Sequence, residues 1–323
     1  MQKKIWADMQ NERPHIPVLL NEVLDCFEKM PQEGVFVDCT LGYGGHSREI
    51  LKRFGQIKVI GIDRDPEAIE YSTRLLEEFG VRFEAKRGRF SDILPRILKE
   101  YRVYGVLADF GVSSLQLDKK ERGFSFLSER LDMRMGPDAE LSAYDVVNRY
   151  PLEELERIFR DYAEERAYKK AARAIVEARS RKPVESGVEL ADILAKVLRK
   201  RGKTNPATAI FQAIRIEVND ELGEITRLLD VLEADPPAGA VVGLITFHSL
   251  EDRLVKQRFR EWSRKCICPP GLYRCECGGS RELGEMLSRK PMTATDEELE
   301  RNPRSRSAKL RCFHFKGQES QDG

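Results

Sequence analysis

Apolar positions in the first third of the chain alternate between helical spacing and short continuous runs. Leu19 to Met30 carries apolar residues at helical spacing, and Pro31 and Gly34 mark the end of this helix. Strands and helices are then predicted in turn at 35–39, 47–54, 58–63, 66–79, 81–87, 91–99 and 103–109. Strand–helix–strand units at this spacing predict an α/β fold with a doubly wound, largely parallel sheet.

The pattern changes after about residue 115. Leu141 to Arg201 is helix-rich, charged and poor in strand-like runs, and strand character returns only at Ala240 to Phe247, after an amphipathic helix at Val218 to Leu232. We therefore predict a sheet domain that is interrupted by an inserted helical subdomain for substrate recognition. The expected bounds are 1–115 and 212–323 for the sheet domain and 116–211 for the insertion.

Composition is ordinary for a soluble globular enzyme, and the N-terminus and the cysteines predict a cytoplasmic one. Of the 323 residues, 41% are hydrophobic and 34% charged. We find no apolar run of about 18 residues, so no membrane span is predicted. Met1 to Gln10 is polar, without the apolar segment of a secretory signal. The seven cysteines are an odd number and do not suggest a disulfide framework, so free thiols in a reducing compartment are expected.

Positive charge is concentrated in two segments although the formal net charge is only +1. Arg166 to Lys203 contains twelve Lys and Arg against four acids, and Leu299 to Lys316 contains six against Glu300 alone. One interpretation is two solvated helix faces and a tail. The other is a surface that faces the phosphates of RNA or DNA.

A glycine-rich turn follows the first predicted strand. Asp38 to Ser47 places GxGG four residues after an acid, where glycines let the backbone approach a ligand and the next helix offers free N–H groups. This form suits a methyl donor without a pyrophosphate better than it suits NAD. Asp63 ends the second strand, where an acid can accept both ribose hydroxyls of a nucleoside. The structural alternatives are a plain turn and a helix cap, a role that Asp65 could equally fill.

Asp109 ends the fourth predicted strand. The Asp-Phe-Gly sequence there is a chance match to kinases, because no kinase glycine loop or catalytic loop accompanies it. A carboxylate at this place could accept an N–H from an exocyclic amine and leave the nitrogen lone pair free for a methyl group. Asp109 could instead hold the methionine part of the cofactor.

Two further motifs leave alternatives open. Ser249 and Asp252 fit a capping box, and His248 is either a proton acceptor or a satisfied polar residue. Cys266-x-Cys268 and Cys275-x-Cys277 lie within one short loop, but their spacing is tighter than in most zinc sites. The sequence alone leaves open whether these thiols bind a metal, and no metal ligand is assigned.

Several sequence blocks together resemble the ribosomal RNA small-subunit methyltransferase H family, also called MraW. They run in order along nearly the whole chain: His15–Leu20, Gly42–Ser47, Ile62–Pro66, Asp109–Asp118, Arg122–Phe126, Leu131–Met135, Phe211–Arg215, Phe247–Arg253 and Asn302–Ser307. The resemblance implies a Rossmann-like class I methyltransferase sheet with a helical insertion. It also implies S-adenosylmethionine as methyl donor and N4-methylation of a cytosine in the decoding region of 16S rRNA, free or in the assembled small subunit.

The resemblance also implies site residues. Asp109 is the expected catalytic residue, and Phe90 is expected beside the adenine unless it is an ordinary core aromatic. The implied cofactor contacts are Gly44, Gly45, His46, Asp63, Phe90, Asp109 and Gln116. Alanine replaces a usual arginine at Ala209, and Ala163 and Ile210 also depart from the family pattern. These departures keep open a second hypothesis, a non-catalytic RNA-binding or ribosome-assembly protein on the same fold.

Overall fold

The computed structural model divides the chain into two compact units. The first comprises Met1–Gly111 with Ile225–Gly323, and the second comprises Val112–Glu224. The residues that the structure describes are 16–113, 116–117, 119–137, 139–199, 205–266, 268 and 274–317. The polar N-terminus Met1 to Gln10 and the end of the first basic segment, 200–203, therefore lie outside the described residues.

Seven strands and twelve helices make up the described regular structure, apart from short 3₁₀ segments. The strands are β1 Glu33–Asp38, β2 Gln56–Asp63, β3 Phe83–Arg87, β4 Val103–Asp109, β5 Val241–Thr246, β6 Gly284–Met286 and β7 Lys309–Phe315. The helices are α1 Leu20–Phe27, α2 Gly45–Arg53, α3 Pro66–Leu75, α4 Phe90–Glu100, α5 Ala143–Arg149, α6 Leu152–Asp161, α7 Tyr168–Arg181, α8 Gly187–Ala195, α9 Thr208–Asn219, α10 Glu221–Ala234, α11 Ser249–Trp262 and α12 Asp296–Arg301. None of the described helices has the length and apolar character needed to cross a membrane.

The first unit is built on one seven-stranded sheet in the order β3-β2-β1-β4-β5-β7-β6. Strands β1 to β5 run parallel, and β7 is antiparallel to both β5 and β6. Successive side chains of one strand point to opposite faces of the sheet. Phe36 therefore packs in the apolar cluster on one face, and Val37 packs in the cluster on the opposite face. Burial on both faces explains why the central strands are continuous apolar runs, and the predicted α/β fold is confirmed.

The C-terminal basic segment contains a strand that neither sequence interpretation anticipated. Residues Lys309–Phe315 form β7, whose burial is continuous from Leu310 to Phe313. Arg311 is only 6% exposed, and its guanidinium donates to the two carboxylate oxygens of Asp252 at 2.7 and 3.2 Å. Part of the positive charge that the sequence suggested for a tail or a phosphate-facing surface is therefore neutralised inside the fold.

The expectation of free thiols was wrong for two of the seven cysteines. Cys26 on α1 and Cys312 on β7 form a disulfide that joins positions 286 residues apart. Sequence spacing could not show this pairing, because it depends on β7 lying in the sheet beside the layer that contains α1. The other five cysteines are not in a disulfide: Cys39, Cys266, Cys268, Cys275 and Cys277.

The second unit is helical throughout its described regular elements, α5 to α9 and the start of α10. Its core joins apolar residues of all five complete helices, including Val147, Phe159, Ile175, Leu190 and Ile214. Its bounds, 112–224, are wider than the predicted insertion at 116–211, since α9 lies wholly within it. Its role in substrate recognition remains a prediction.

Candidate active site

Three aspartates end neighbouring strands at one edge of the parallel sheet. Asp38 is the last residue of β1, Asp63 of β2 and Asp109 of β4. Because β1 lies between β2 and β4, their carboxyl ends are adjacent. Ligands of open parallel sheets bind in the crevice at this edge, where the strand order reverses. Two of the three, Asp63 and Asp109, are site residues that the sequence predicts.

The glycine-rich turn between β1 and α2 lies at the carboxyl ends of these strands. Gly42 and Gly44 have left-handed φ angles of 50° and 73°. A Cβ on Gly42 would meet only the Thr40 carbonyl oxygen, at 3.9 Å, so this glycine faces open space. A Cβ on Gly45 would instead lie 2.6 Å from Cγ of Pro17. Gly42 is thus the glycine with room for a ligand, whereas Gly45 is required for packing, and cofactor contacts of Gly44 and Gly45 remain predictions.

Asp63 organises this turn rather than capping a helix. Its carboxylate accepts hydrogen bonds from the backbone N–H groups of Gly42 and Asp65, each at 2.8 Å. Asp65 is the N-cap of α3 and accepts from the N–H of Glu67 at 3.0 Å. The cap therefore falls to Asp65, which removes that alternative for Asp63. Burial raises the pKa of Asp63 to about 6.

Asp38 holds the glycine-rich turn through hydrogen bonds to residues on either side of it, and it was not among the predicted site residues. It is 2% exposed and accepts from the Ser47 hydroxyl at 2.7 Å and from the Thr40 N–H at 3.2 Å. Burial raises its pKa to about 6, although the hydrogen bond from Ser47 opposes the shift. The acid at the start of the glycine motif was the sequence signal for this residue.

The raised pKa of Asp38 predicts a specific pH dependence of stability. Its folded-state pKa of about 6 exceeds the ordinary value of 3.8, so the folded protein holds this proton more tightly than the unfolded chain. The stabilisation is complete below about pH 4 and is lost as pH rises through about 6, a change of about 3 kcal/mol. We expect urea unfolding to show the advantage of the wild type over Asp38→Asn shrinking across this interval.

A second variant gives this prediction a directional control. Ser47→Ala removes the hydroxyl that lowers the pKa of Asp38, so the pH interval should move upward. A difference in unfolding free energy between wild type and Asp38→Asn that stays constant from pH 4 to 7 would contradict the assignment.

Asp109 has the least satisfied carboxyl group of the three. Its Oδ1 atom is buried and has no hydrogen-bond partner, while its backbone N–H donates to the Thr40 hydroxyl at 2.6 Å. Its pKa is raised well above 3.8, first by burial and then by the negative charges of Asp38 and Glu251. A buried oxygen without a partner is costly unless a bound molecule donates to it.

Glu251 lies in the first turn of the helix after β5, and its contacts correct the predicted capping box. The first helical residue is Ser249, and the Oε2 atom of Glu251 accepts from the N–H groups of Phe247 and His248 at 2.7 and 3.3 Å. The box therefore lies one residue earlier than the predicted Ser249–Asp252 pair. Glu251 is fully buried, and its negative charge helps to raise the pKa of Asp109. This residue was not predicted from the sequence, because the capping box was assigned to Ser249 and Asp252.

Two predicted cofactor residues have structural contacts of their own. The Nε2 atom of His46 lies 2.9 Å from the Val18 carbonyl oxygen, and burial lowers its pKa to about 4, so the ring is neutral at pH 7 and donates this hydrogen bond. Phe90 starts α4, is 9% exposed, and lies 6.3 Å from Phe110 between ring centroids. Both residues therefore have packing or hydrogen-bond contacts within the protein, and their contacts with a cofactor remain predictions.

Gln116 belongs to the second unit, where its side-chain amide is engaged. Its Oε1 accepts from the Ser113 N–H at 3.1 Å, and its Nε2 donates to the Met135 carbonyl at 3.2 Å. It is 4% exposed. These contacts give Gln116 a local structural role, and its predicted contact with the cofactor remains a prediction.

Comparison with known proteins places these features in a family. A family model described as the MraW methylase family matches residues 12–316. Proteins named "Ribosomal RNA small subunit methyltransferase H" from a Sulfurovum species and a Nitratiruptor species are 62% and 56% identical, each over 94% of this chain and 99% of the relative. The relative from Wolinella succinogenes is 53% identical with the same coverage.

A solved rRNA methylase from Streptococcus thermophilus is 10% identical, with a TM-score of 0.37 over 95% of this chain and 98% of that one, which is too loose a likeness to bear on function. The family model and the sequence relatives confirm the resemblance predicted from the motifs. The chain belongs to the MraW methylase family.

Proposed function

We propose that this protein transfers a methyl group from S-adenosylmethionine to the exocyclic N4 of a cytosine in the decoding region of 16S rRNA. Family membership and the names of relatives support an rRNA methyltransferase. The observation that carries the finer proposal is the buried, unpartnered Oδ1 of Asp109 at the carboxyl edge of the sheet. It offers an acceptor where an amine N–H would be bound.

The turn after β1 fits a nucleoside methyl donor. Gly42 faces open space, and the Asp63 carboxylate at the end of the next strand is suited to ribose hydroxyls. The ring of Phe90 is buried, with 9% of the residue exposed, and would supply an apolar surface for a base. Gly44, Gly45, His46, Asp109 and Gln116 complete the set of residues that would hold the donor. When bound, the donor supplies an electrophilic methyl group, and the turn carries no phosphate-binding GxGxxG pattern.

Asp109 would then act on the acceptor amine. An exocyclic amino group is a weak nucleophile because its lone pair is delocalised into the ring. A carboxylate that accepts one N–H favours the pyramidal nitrogen and can take its proton. Burial and the neighbouring Asp38 and Glu251 raise the pKa of Asp109 from its ordinary value, which makes its carboxylate a stronger base than an exposed aspartate.

The second unit carries a basic helix face that suits RNA phosphates. Helix α7 buries Ala171, Ala172 and Ile175 on one side. Lys169, Lys170 and Arg173 are exposed, and none of them has an ion pair with another described residue. Phosphate contacts of this kind hold RNA without reading its sequence, so base selection would come from the residues at the carboxyl ends of the strands.

The alternative of a non-catalytic RNA-binding protein gains no specific support. Its motivation was the set of departures at Ala163, Ala209 and Ile210. Ile210 is fully buried in the helical core, and Ala163 packs against that core, so both fit a change in packing. A non-catalytic protein would not require the carboxylates at the carboxyl ends of the strands, and this chain has all three, Asp38, Asp63 and Asp109.

The experiment that tests the proposal is transfer of a labelled methyl group to small ribosomal subunits from a strain that lacks this gene. Naked 16S rRNA serves as the second substrate, because either free rRNA or the assembled subunit could be the form that is methylated. We expect label in N4-methylcytidine after nucleoside analysis. Label in another nucleoside would refute the cytosine N4 assignment. Absence of transfer to both substrates by a folded protein that binds the donor would refute the ribosomal RNA substrate.

A further inference from the structure

Four cysteine thiols converge in the loop between α11 and β6, in the first unit. Sγ of Cys275 lies 3.6 Å from Sγ of Cys266 and 3.4 Å from Sγ of Cys277, and the Cys266 and Cys277 sulfurs are 3.6 Å apart. The sulfur of Cys268 completes a group in which all four atoms lie within 4.8 Å of one another. None of the four cysteines is in a disulfide, so the group is not two disulfides.

These separations match a tetrahedral metal–thiolate centre. Zinc binds cysteine sulfur at about 2.3 Å, so the edges of a Cys₄ tetrahedron are about 3.8 Å long. Four soft sulfur donors in this geometry favour Zn²⁺ over the oxygen-loving divalent cations. From the convergence of these four sulfurs we propose that Cys266, Cys268, Cys275 and Cys277 bind one structural zinc ion.

Backbone geometry around the thiols supports a metal-bound state. The N–H groups of Glu276 and Cys277 both point at Sγ of Cys268, at 3.3 Å each. Such N–H to sulfur bonds stabilise thiolate ligands and fix their orientation. Gly278 and Gly279 follow the last cysteine with left-handed φ angles of 80° and 69°, which lets the chain turn sharply after the fourth ligand.

Burial does not hold the described part of this loop in shape. Among the described residues of 264–282, none is buried, and Cys266 and Cys275 are exposed. The loop is closed at its base by hydrogen bonds from Arg281 N–H to the Lys265 carbonyl and from Leu283 N–H to the Trp262 carbonyl, at 3.1 and 2.8 Å. A long loop without a core needs a covalent or metal cross-link to be ordered.

Charge balance is consistent with this centre. Zinc with four thiolates carries a net charge of −2, and the same loop presents the exposed cations Lys265, Arg274 and Arg281. Arg281 additionally donates through Nε to the Cys277 carbonyl at 3.1 Å. These positive side chains offset the negative centre and lie beside it in the chain.

The spacing of one residue within each cysteine pair is tighter than in most zinc sites, but the four sulfur atoms still lie close enough to bind one ion.

The direct test is metal analysis of the full-length protein, purified with a thiol reductant and without added chelator. We expect native mass spectrometry and elemental analysis to find one zinc per chain. The double variant Cys266→Ser/Cys275→Ser should contain none, whereas Cys39→Ala, which removes a buried thiol outside the loop, should still bind one zinc. Absence of zinc from the wild type, with four thiols that all react with an alkylating agent, would overturn the proposal. Iron in place of zinc would overturn the choice of metal.

Limited trypsin digestion provides a second readout that needs neither catalysis nor a variant. The loop contains the cleavage sites Arg264, Lys265, Arg274 and Arg281, all exposed. Removing zinc with a chelator should increase cleavage within 264–282 at least tenfold, and adding zinc back should restore protection. The circular dichroism spectrum should stay unchanged, since the sheet does not depend on the loop. Equal cleavage with and without chelator would contradict a structural metal.

Discussion

Replacing Asp109 with asparagine is expected to lower the rate of methyl transfer about 10³-fold, the range found when a positioned proton acceptor is removed. Asparagine keeps the size of the side chain but cannot accept a proton from the amine. The unfolding free energy at pH 7 should not fall by more than about 1 kcal/mol, because burial already disfavours the charged carboxylate at this position. Single-turnover transfer to small subunits measures the chemical step directly.

Donor binding separates the two roles considered for Asp109. If it acts on the amine, calorimetry should give the variant a dissociation constant for S-adenosylmethionine within a few-fold of the wild type. A loss of donor affinity as large as the loss of rate would instead assign Asp109 to the methionine part of the donor. Asp235→Asn, an exposed position near the end of α10, is the matched control and should leave both quantities unchanged.

Replacing Asp63 with alanine is expected to weaken donor binding about 100-fold. In the proposed role of Asp63, the variant would lose an acceptor for two ribose hydroxyls. The Gly42 N–H also loses its partner, so the glycine-rich turn is no longer held in place. Hydrogen bonds to a charged group contribute about 1.5–3 kcal/mol each, which is consistent with this magnitude. Calorimetric titration with S-adenosylmethionine measures the effect.

Asp65→Ala is the control for this change, since it lies two residues away and has a different task. It removes the N-cap of α3 and should lower the unfolding free energy by about 1 kcal/mol. Donor affinity should change by no more than a few-fold. If the two variants weakened donor binding equally, the ribose assignment for Asp63 would be wrong and the effect would belong to the fold of the turn.

The parallel part of the sheet could be predicted because its strands are buried on both faces and so form uninterrupted apolar runs. β7 could not, since Lys309 and Arg311 break its apolar pattern. The buried charge of Arg311 is tolerated only because Asp252, 59 residues earlier, pairs with it. A sequence pattern records local hydrophobicity and contains no sign of such a distant partner.

In the candidate active site, too, residues that follow from local sequence pattern could be predicted, and residues that depend on the detailed structure could not. Asp63 and Asp109 could be predicted from their positions at strand ends, where the topology alone brings side chains together. Glu251 was missed because Ser249 and Asp252 also fit a capping box, and only the observed start of α11 decides between them. The convergence of the four loop thiols likewise depends on a turn geometry that the unusual spacing did not reveal.

The position of β7 has a consequence for the newly made chain. Strand β5 is buried along its whole length, and one of its edges is covered only by β7, which ends at Phe315. During synthesis this edge of β5 has no partner until residues 309–315 have been made. An unpaired strand of this kind invites pairing with other chains. Nascent chains and truncated forms that lack β7 should therefore depend on chaperones far more than chains that contain it.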